Sequence, residues 1–363
     1  IFAGVELTSI SSYALVTMKR NDSRAAEAGV KYVIVGGLST ALTIYGISMI
    51  YGMAGTTDIA AIAAQTTIDG MNWMLAVGLV CMVAGYGFKI AAVPFHMWAP
   101  DVYEGSPTPI SLVLATGSKK MGLGVFFQIF LVLFVAGSSM NAICGEEVQY
   151  LFAIIAAFTM TVGNVVAIAQ NNIKRMLAYS SIAQAGYILI ALAVMSEYAL
   201  SAGLFHMFTH VFMKGGAFLI VGALICAGVG EKISDYKGLA KRSPFLAAAM
   251  LLFLFSLAGI PPLAGFTSKF FLFNAALGGV DGVSSQWVWL AFIAILNSAI
   301  SLYYYARVVK AMYVDKGTTE EKIKIPGAFL AAIVICVVFV IVLGLYPQLI
   351  FDYCETAAHA LLG

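Results

Sequence analysis

The sequence predicts an all-α polytopic membrane protein with about ten transmembrane helices. Of its 363 residues, 61% are hydrophobic and 10% are charged, and its mean hydropathy is +0.94, whereas a soluble domain carries about 25% charged residues. A lipid bilayer offers no water to bare backbone groups, so such a chain must cross it as helices or as a closed barrel. The long apolar runs favour helices, because barrel strands would alternate with a period of two residues.

Charge and cysteine content exclude several other classes of protein. A net charge of +2, without a basic tract interleaved with aromatic residues, gives no reason to expect nucleic acid as a partner. The cysteines lack the CxxC spacing of an iron–sulfur site or a disulfide framework; they are Cys81, Cys144, Cys226, Cys336 and Cys354. The chain begins at Ile1 inside an apolar segment, with neither an initiator Met nor a charged signal region, so we expect its first helices to be missing.

The membrane spans follow from apolar runs of about 20 residues, the length that crosses the hydrocarbon core. Glycine, asparagine, aspartate and proline occupy the breaks between the runs, as in turns. The predicted spans are 1–18, 26–53, 71–97, 108–137, 150–170, 174–195, 199–228, 244–276, 286–312 and 327–350.

Charged residues in the loops test this division independently, because cytoplasmic loops collect Lys and Arg. Every second loop is basic, and the basic residues are Lys19, Arg20, Arg24, Lys174, Arg175, Lys232, Lys237, Lys241, Arg242, Lys310, Lys316, Lys322 and Lys324. The opposite loops carry only acids, namely Asp58, Asp69, Glu146, Glu147, Glu197, Asp281, Asp352 and Glu355. The loop around Asp101 and Glu104 is the exception, since it falls on the basic side without a basic residue. Both ends of the chain are expected to face outward.

Ionisable residues inside the predicted spans are the most informative feature of the sequence. A charge at the bilayer centre costs at least about 2.5–3.5 kcal/mol, so such residues usually line a polar path or pair with one another. They are Glu6, Lys31, Lys89, Lys119, Lys120, Lys214 and Lys269, with the histidines His206 and His210.

Depth separates these residues into groups. Glu6 lies roughly 20 Å from the basic loop after its helix, and Lys119 lies comparably deep in its own. Lys31 is only a few residues inside its helix, so it either reaches the interface or faces the path. Lys119 and Lys120 point about 100° apart, so we expect one of them to face a given path.

His206, His210 and Lys214 follow an i, i+4, i+8 spacing that places them on one helix face. Two histidines without a third ligand or a carboxylate are weak support for a metal site, and we predict none. The remaining interpretations are structural hydrogen bonding and a hydrated proton path. Histidine suits the path because its pKa of about 6.5 lets it accept and release protons near neutrality.

Prolines mark two interrupted spans. Lys89 lies five residues before Pro94, and Lys269 follows Pro261 and Pro262. The proline pair falls in the middle of an apolar run and predicts a helix broken within the membrane. Broken helices expose carbonyls that bind water or ions, and transporters place them at working sites, although a simple packing kink would leave the same pattern.

The chemistry of this set is proton transfer by buried lysines. Burial and a neighbouring carboxylate act oppositely on a lysine, so moving the carboxylate switches the lysine between holding and losing its proton. Glu6 is the only acid deep inside a predicted span, and we hypothesise that it faces Lys89. The sequence has no nucleotide loop, no haem or cluster ligands and no nucleophile beside a base, so the chain is expected to move ions rather than make bonds.

Several motifs resemble one known family. They are FKIAAVPFHMWAPDVYEGSPTPIS at 88–111, NNIKRMLAYSSIAQAGY at 171–187, FHMFTHVFMKGGAFL at 205–219 and GIPPLAGFTSKF at 259–270. Together they resemble the antiporter-like, proton-translocating subunits of complex I. DVYEGSPTP, with ELTSISSYALV near the start, is most similar to the N subunit rather than to its L or M relatives.

The resemblance implies an architecture of fourteen helices that includes two inverted five-helix repeats. The spans found here would be helices five to fourteen. The first repeat, truncated at its start, would occupy 1–138, the second repeat 150–312, and a C-terminal transmembrane helix 327–350.

The resemblance also implies roles for the buried charges. Glu6 and Lys89 resemble the family's glutamate–lysine pair, Lys119 its next lysine, and Lys269 the lysine near the outward exit. Protons would be taken up from the cytoplasm, pass along a central hydrated axis and leave through Lys269. The axis residues with less specific roles would be Lys31, Lys120, His206, His210 and Lys214.

Partners and cofactors follow from the same resemblance. Quinone reduction in other subunits would drive the pump, so this chain would be a non-redox subunit of an NADH-quinone oxidoreductase-type translocase, without a cofactor. NAD, FMN, iron–sulfur clusters and quinone are expected in partner subunits. The partners would be the A, J, K, L, M and H types, in a bacterial or archaeal cytoplasmic membrane.

Two other functions compete with this interpretation. One is a subunit of a Mrp-type cation/proton antiporter or a membrane-bound hydrogenase, against which the DVYEGSPTP segment argues. The other is a structural membrane spacer whose lysines do not conduct. Within a dehydrogenase, the electron donor could be NADH, ferredoxin or a reduced deazaflavin.

Overall fold

The protein is helical throughout the part that the computed structural model describes, residues 1–65, 73–134, 137–279, 286–317 and 321–362. Eight helices in these ranges are long and apolar enough to cross a membrane, and the only β-type pairing there is a single bridge between Asn172 and Lys232. The all-α membrane fold predicted from the sequence is confirmed.

The described part of the first half of the chain forms seven α-helices. They are α1 (Phe2–Val16), α2 (Ser23–Ala54), α3 (Ile59–Ala63), α4 (Trp73–Ile90), α5 (Trp98–Gly105), α6 (Thr108–Val113) and α7 (Lys119–Phe126). A π-helical turn at Leu114–Ser118 joins α6 to α7, and a second at Phe127–Leu131 extends α7, which together give one span of 24 residues. Such turns widen a helix locally and often occur at functional sites.

The second half contains the remaining helices. They are α8 (Ser139–Ile168), α9 (Ile173–Val194), α10 (Glu197–Cys226), α11 (Leu239–Arg242), α12 (Pro244–Ala258), α13 (Ala264–Ala276), α14 (Val288–Tyr313), α15 (Gly327–Leu345) and α16 (Gln348–Leu362), with a 3₁₀ turn at Ile233–Tyr236. Helices α9 and α10 are buried along nearly their whole lengths and form the centre of the bundle.

Polar side chains in the predicted loops cap the N-termini of several helices. The carboxylate of Asp22 accepts hydrogen bonds from the first backbone N–H groups of α2, and the amide oxygen of Asn172 does the same for α9. Ser196 caps α10. These caps satisfy backbone donors that a helix start leaves open, so the loops between apolar runs also fix where each helix begins.

Two predicted spans are interrupted. The segment 244–276 forms α12 and α13, separated by a turn that begins at Gly259, whose φ of +94° suits glycine. In the segment 71–97, α4 ends at Ile90, and Pro94 lies in the irregular stretch before α5. Both interruptions lie beside a buried lysine, Lys269 in α13 and Lys89 in α4.

The C-terminal span ends earlier than the sequence predicted. Helix α15 ends at Leu345 rather than at residue 350, and after a turn the chain forms a further helix, α16, that was not predicted. Both helices pack on α10, where Phe339 stacks on Phe212 with ring centroids 4.2 Å apart, and Phe351 meets Phe205 at 5.7 Å. Asp352 and Glu355 lower the hydropathy of α16, and for that reason an apolar-run criterion did not predict this helix.

The acidic loop that the alternation places on the basic side contacts a basic residue. Asp101 and Glu104, the acids without a basic neighbour in sequence, both contact Arg175 at the start of α9. Their loop therefore lies on the basic face of the protein. Asp69 and Asp281 lie outside the described residues.

Candidate functional site

Five lysines lie inside the helical bundle and form, with two histidines, a group that we call the lysine chain. Its members are Lys89, Lys119, Lys120, Lys214 and Lys269, with His206 and His210. Lys89, Lys119, Lys214 and Lys269 are at most 4% exposed, and the ammonium of Lys120 is buried. Across the described residues, no carboxylate lies within 4.0 Å of any of these ammonium groups.

Lys89 and Glu6 line the same small cavity between α1, α2 and α4. The Lys89 ammonium donates a hydrogen bond to the Ser9 hydroxyl at 2.8 Å, and the Glu6 carboxylate accepts one from Thr40 at 2.9 Å. Ser9 lies one turn after Glu6 in α1. The hypothesised meeting of Glu6 and Lys89 is thus a shared cavity rather than a direct ion pair, with Ser9 contacting the lysine.

The end of α4 holds Lys89 in place. Trp98 of α5 donates its indole N–H to the Phe88 carbonyl at 2.8 Å, and the backbone N–H of Val93 donates to Thr159 at 3.0 Å. These hydrogen bonds satisfy backbone groups that would otherwise lack a partner where the helix is interrupted. The interruption is therefore a fixed feature that orients the last turn of α4.

Lys119 and Lys120 follow directly after the first π-helical turn. The Lys119 ammonium donates to the Ser181 hydroxyl of α9 at 3.2 Å and lies 5.8 Å from the centre of the Tyr103 ring. The Lys120 ammonium has no hydrogen-bond partner in the described part of the chain, but interacts electrostatically with His206 and His210. The sequence led us to expect one inward-facing lysine, whereas both ammonium groups are buried.

His206, His210 and Lys214, which share one face of α10, are all buried. Lys214 donates to the Ser180 hydroxyl and, at 3.2 Å, to the Leu177 carbonyl. The ring nitrogens of His206 lie 2.9 Å from Ser268 and 3.0 Å from Gln184.

His210 differs from His206 and Lys214, because both of its ring nitrogens are buried without a hydrogen-bond partner in the described chain. No group of three metal-ligating side chains occurs among the described residues.

Lys269 lies at the break between α12 and α13. Its ammonium donates to the carbonyls of Leu257 at 2.9 Å and Ala258 at 3.2 Å, and to the Ser298 hydroxyl at 3.0 Å. It also lies 4.5 Å from the centre of the Tyr187 ring. The carbonyls are free because the helix ends there, and they carry the negative end of the helix dipole.

Helix α9 connects these positions. Ser181 and Ser180 are adjacent and contact Lys119 and Lys214. Gln184, one turn later, contacts His206 and donates to the Leu257 carbonyl that also accepts from Lys269. These neutral residues were not identified as site residues from the sequence. The available signal was their clustering in the AYSSIAQ stretch of an otherwise apolar span.

Lys31 lies apart from the lysine chain. Its ammonium is 2.7 Å from an Asp101 oxygen and 2.6 Å from a Glu27 oxygen, and the side chain is 43% exposed. Of the two alternatives for this residue, the structure places it in an ion pair at the basic face. It belongs to a second group, the basic-face network, formed by Lys31, Asp101, Glu104, Lys174, Arg175 and Glu231.

The basic-face network joins four parts of the chain. Arg175 pairs with Asp101 and with Glu104, and Lys174, 1% exposed, donates to the backbone carbonyls of Glu104 and Ser106, each at 2.7 Å, and to Glu231 at 3.5 Å. Burial alone would raise the pKa of Asp101, but hydrogen bonds from Lys31 and Arg175 outweigh it and hold this pKa below its ordinary value.

The two groups have different chemical capabilities. A lysine that pairs with a carboxylate keeps its proton, because the opposite charge favours the charged form. A buried lysine among hydroxyl and carbonyl oxygens has no such counter-charge, and burial disfavours its charge. The lysine chain is therefore suited to binding and releasing protons along a line of polar contacts.

Comparison with protein families gives one match over most of the chain. Residues 1–301 match the family described as NADH:quinone oxidoreductase/Mrp antiporter, transmembrane. Among curated relatives, the F(420)H(2) dehydrogenase subunit N of Methanosarcina mazei is 43% identical over 100% of this chain and 73% of its own length. The NADH-quinone oxidoreductase subunit N of Desulforamulus reducens is 42% identical, with the same shares covered.

Solved structures with the same arrangement include membrane respiratory complexes. A chain of respiratory complex I from Thermus thermophilus superposes with a TM-score of 0.79 at 32% identity, covering 97% of this chain and 74% of that one. A chain of an archaeal membrane-bound sulfane sulfur reductase gives 0.87 at 29% identity, covering 99% and 71%. A chain of a Mrp complex from a Dietzia species gives 0.87 at 23% identity, covering 100% and 75%, and is similar in fold.

Proposed function

Because this chain belongs to the NADH:quinone oxidoreductase/Mrp antiporter transmembrane family and is an antiporter-like membrane subunit of the complex I type, we propose that it translocates protons through the lysine chain. Quinone reduction in other subunits drives the movement. The supporting observation is the set of buried lysines that have no carboxylate within 4.0 Å in the described chain. Lys119, Lys214 and Lys269 are linked by contacts with Ser181, Ser180 and Gln184 of α9, the last through the Leu257 carbonyl.

The direction of transport follows from the loop charges. The basic face is cytoplasmic by the positive-inside rule, in a bacterial or archaeal cytoplasmic membrane. Protons are taken up near Lys89 and Lys119, pass Lys120, Lys214 and the histidines, and reach Lys269. They leave from Lys269 to the opposite face.

Glu6 has the controlling position in this proposal. Its carboxylate shares a cavity with Lys89, so its distance from the lysine sets how strongly Lys89 holds a proton. In this structure the Lys89 ammonium donates a hydrogen bond to the Ser9 hydroxyl and not to Glu6. A shift of α1 that brings Glu6 to Lys89 would favour the charged lysine, and the reverse shift would release the proton toward Lys119.

The partners in this proposal are the other membrane-arm subunits of the complex, of the A, J, K, L, M and H types. The pump needs no cofactor of its own, because the redox chemistry belongs to subunits that hold NAD, FMN, iron–sulfur clusters and quinone. This chain contributes positioned side chains that bind and pass protons.

The test replaces Lys89 with alanine in the complete complex. In proteoliposomes, Lys89→Ala should reduce proton pumping per electron, because the relay loses the lysine that exchanges its proton under the control of Glu6. Lys232→Ala, at an exposed lysine of the basic face, is the control and should pump normally. Unchanged pumping in Lys89→Ala would favour a structural spacer instead.

The second candidate is a subunit of a Mrp-type cation/proton antiporter, which the family description also covers. The two functions differ in the neighbouring subunits. Purification of the intact complex from its source should bring along quinone-site and iron–sulfur subunits for a dehydrogenase. Copurification of antiporter subunits alone, with cation-dependent proton exchange, would support the second candidate.

A further inference from the structure

The Lys269 ammonium occupies a site in which every hydrogen-bond acceptor is neutral. Its three N–H donors are matched by three oxygens, those of Leu257, Ala258 and Ser298. Gly259 leaves space for the lysine, since a Cβ there would lie 3.3 Å from Lys269 Cδ. Hydrogen bonding is therefore satisfied, but no carboxylate of the described chain balances the charge.

The Tyr187 ring supplies the additional attraction. The ammonium lies 4.5 Å from the ring centre, within the range of a cation–π interaction, which strengthens when both partners are removed from water. Tyr187 and Lys269 are both almost completely buried. The ring stabilises the charged lysine in a way that a hydroxyl or carbonyl contact alone does not.

A buried cluster of neutral side chains holds this ring. The Asn164 amide donates to the Tyr187 hydroxyl at 3.4 Å and to the Asn297 carbonyl oxygen at 3.1 Å, and its own oxygen accepts from Tyr304 at 2.9 Å. Asn297 precedes Ser298, which contacts Lys269. The cluster therefore fixes two of the four groups that surround the ammonium.

We propose that Tyr187 is a positioning residue for proton release, with its ring held over Lys269 by Asn164. This inference rests on the proposed function and concerns how tightly the last lysine holds its proton. No sequence pattern singles out Tyr187, Asn164, Asn297 or Tyr304, and none of these residues has to carry the proton itself.

Other charged and titratable groups also act on Lys269. His206 and Lys214 of α10 interact with it electrostatically, and Tyr187 faces it from α9. Helices α12 and α14 present the neutral oxygens of Leu257, Ala258 and Ser298. The ring is thus the group whose replacement changes the environment of Lys269 without adding or removing a formal charge.

The experiment compares Tyr187→Leu with Tyr187→Phe in the complete complex. Protons pumped per electron are measured in proteoliposomes over a range of pH. Leucine removes the ring, so the alkaline limit of pumping should move to lower pH by about one unit. Phenylalanine keeps the ring and loses only the contacts of the hydroxyl with Asn164 and Ser298, so its shift should be smaller. Equal shifts in the two variants, or no shift in either, would overturn the inference.

Two further variants keep the test decisive. Asn164→Ala loosens the Tyr187 ring without removing it and should give a small shift of the pH profile in the same direction. If the Tyr187→Leu complex does not assemble, Asn164→Ala takes its place as the test. An unshifted pH profile for Asn164→Ala would then refute the proposal. Tyr236→Phe is the matched control, because the buried Tyr236 hydroxyl has no hydrogen-bond partner in the described chain, and its profile should match the wild type.

The Lys89→Ala result separates this inference from the proposed function. Normal pumping by Lys89→Ala would remove the proposed function and this inference together. Defective pumping by Lys89→Ala, with an unshifted pH profile for Tyr187→Leu, would remove only the role of Tyr187.

Discussion

Lys119 and Lys174 are buried to the same extent, 1% exposed each, yet their surroundings differ in kind. Lys174, in the basic-face network, contacts the Glu231 carboxylate and two backbone carbonyls. Lys119, in the lysine chain, contacts a serine hydroxyl and a tyrosine ring. Burial alone therefore does not distinguish the two groups; the presence or absence of a neighbouring anion does.

The difference has an energetic basis. In the network, attraction between opposite charges offsets part of the free-energy cost of burying each cation. Removing one member of a pair leaves the other charge buried without a counter-charge. In the lysine chain, the charged and neutral forms of each lysine are closer in free energy, because no carboxylate of the described chain forms an ion pair with it. Glu6 is the nearest case, since it shares a cavity with Lys89. We therefore expect the network to govern stability and the chain to govern transport.

The largest effect should follow from Lys119→Met. Methionine keeps the length of the side chain but cannot carry a proton, so the proton must cross the gap without a carrier. A charge in the membrane interior costs about 2.5–3.5 kcal/mol or more, which corresponds to a roughly 100-fold slower transfer. We expect pumping to fall to the background leak, measured in proteoliposomes while quinone reduction is followed in parallel.

Lys174→Met is the matching substitution in the basic-face network, because Lys174 is as buried as Lys119. It should lower the free energy of unfolding by about 1–3 kcal/mol, because two carbonyls and a carboxylate lose their donor, and thermal unfolding of the purified complex measures this loss. Pumping per assembled complex should stay normal. A Lys174→Met complex that is stable but does not pump would contradict the division between the two groups.

A smaller, pH-dependent effect is expected from Asp101→Asn. Since the folded state holds the pKa of Asp101 below 3.8, its stabilising contribution is complete above that pH and disappears as the pH falls through the lower value of the folded state. The wild type should be the more stable protein at pH 6, by about 1 kcal/mol or less. The difference should close below pH 3.8, and a constant difference would show that the carboxylate charge is not its source.

Sequence reasoning located the charged residues but could not assign their partners. Lys31 looked like a candidate for the path because one of its partners, Asp101, is 70 residues away; only its other partner, Glu27, is local in sequence. Lys174 looked like a loop residue because its depth depends on how α5 and α9 pack. Contacts between distant segments are set by tertiary structure, and the spacing of residues within one helix does not contain them.

Neutral residues were missed for a different reason. Ser180, Gln184 and Asn164 cost little to bury once they are hydrogen-bonded, so they do not stand out in an apolar span as lysines do. The broken helix at Pro261 and Pro262, in contrast, could be predicted, because proline removes a backbone donor wherever it occurs. Its consequence, free carbonyls that bind Lys269, required the structure.

The most direct test of the account exchanges lysine for arginine in each group. Arginine keeps the positive charge but does not lose its proton in proteins. In proteoliposomes, Lys269→Arg should abolish proton pumping while quinone reduction remains measurable, whereas Lys31→Arg, which preserves the pair with Asp101, should pump like the wild type. Normal proton pumping by a correctly assembled Lys269→Arg complex would contradict the claim that the buried lysines carry protons across the membrane.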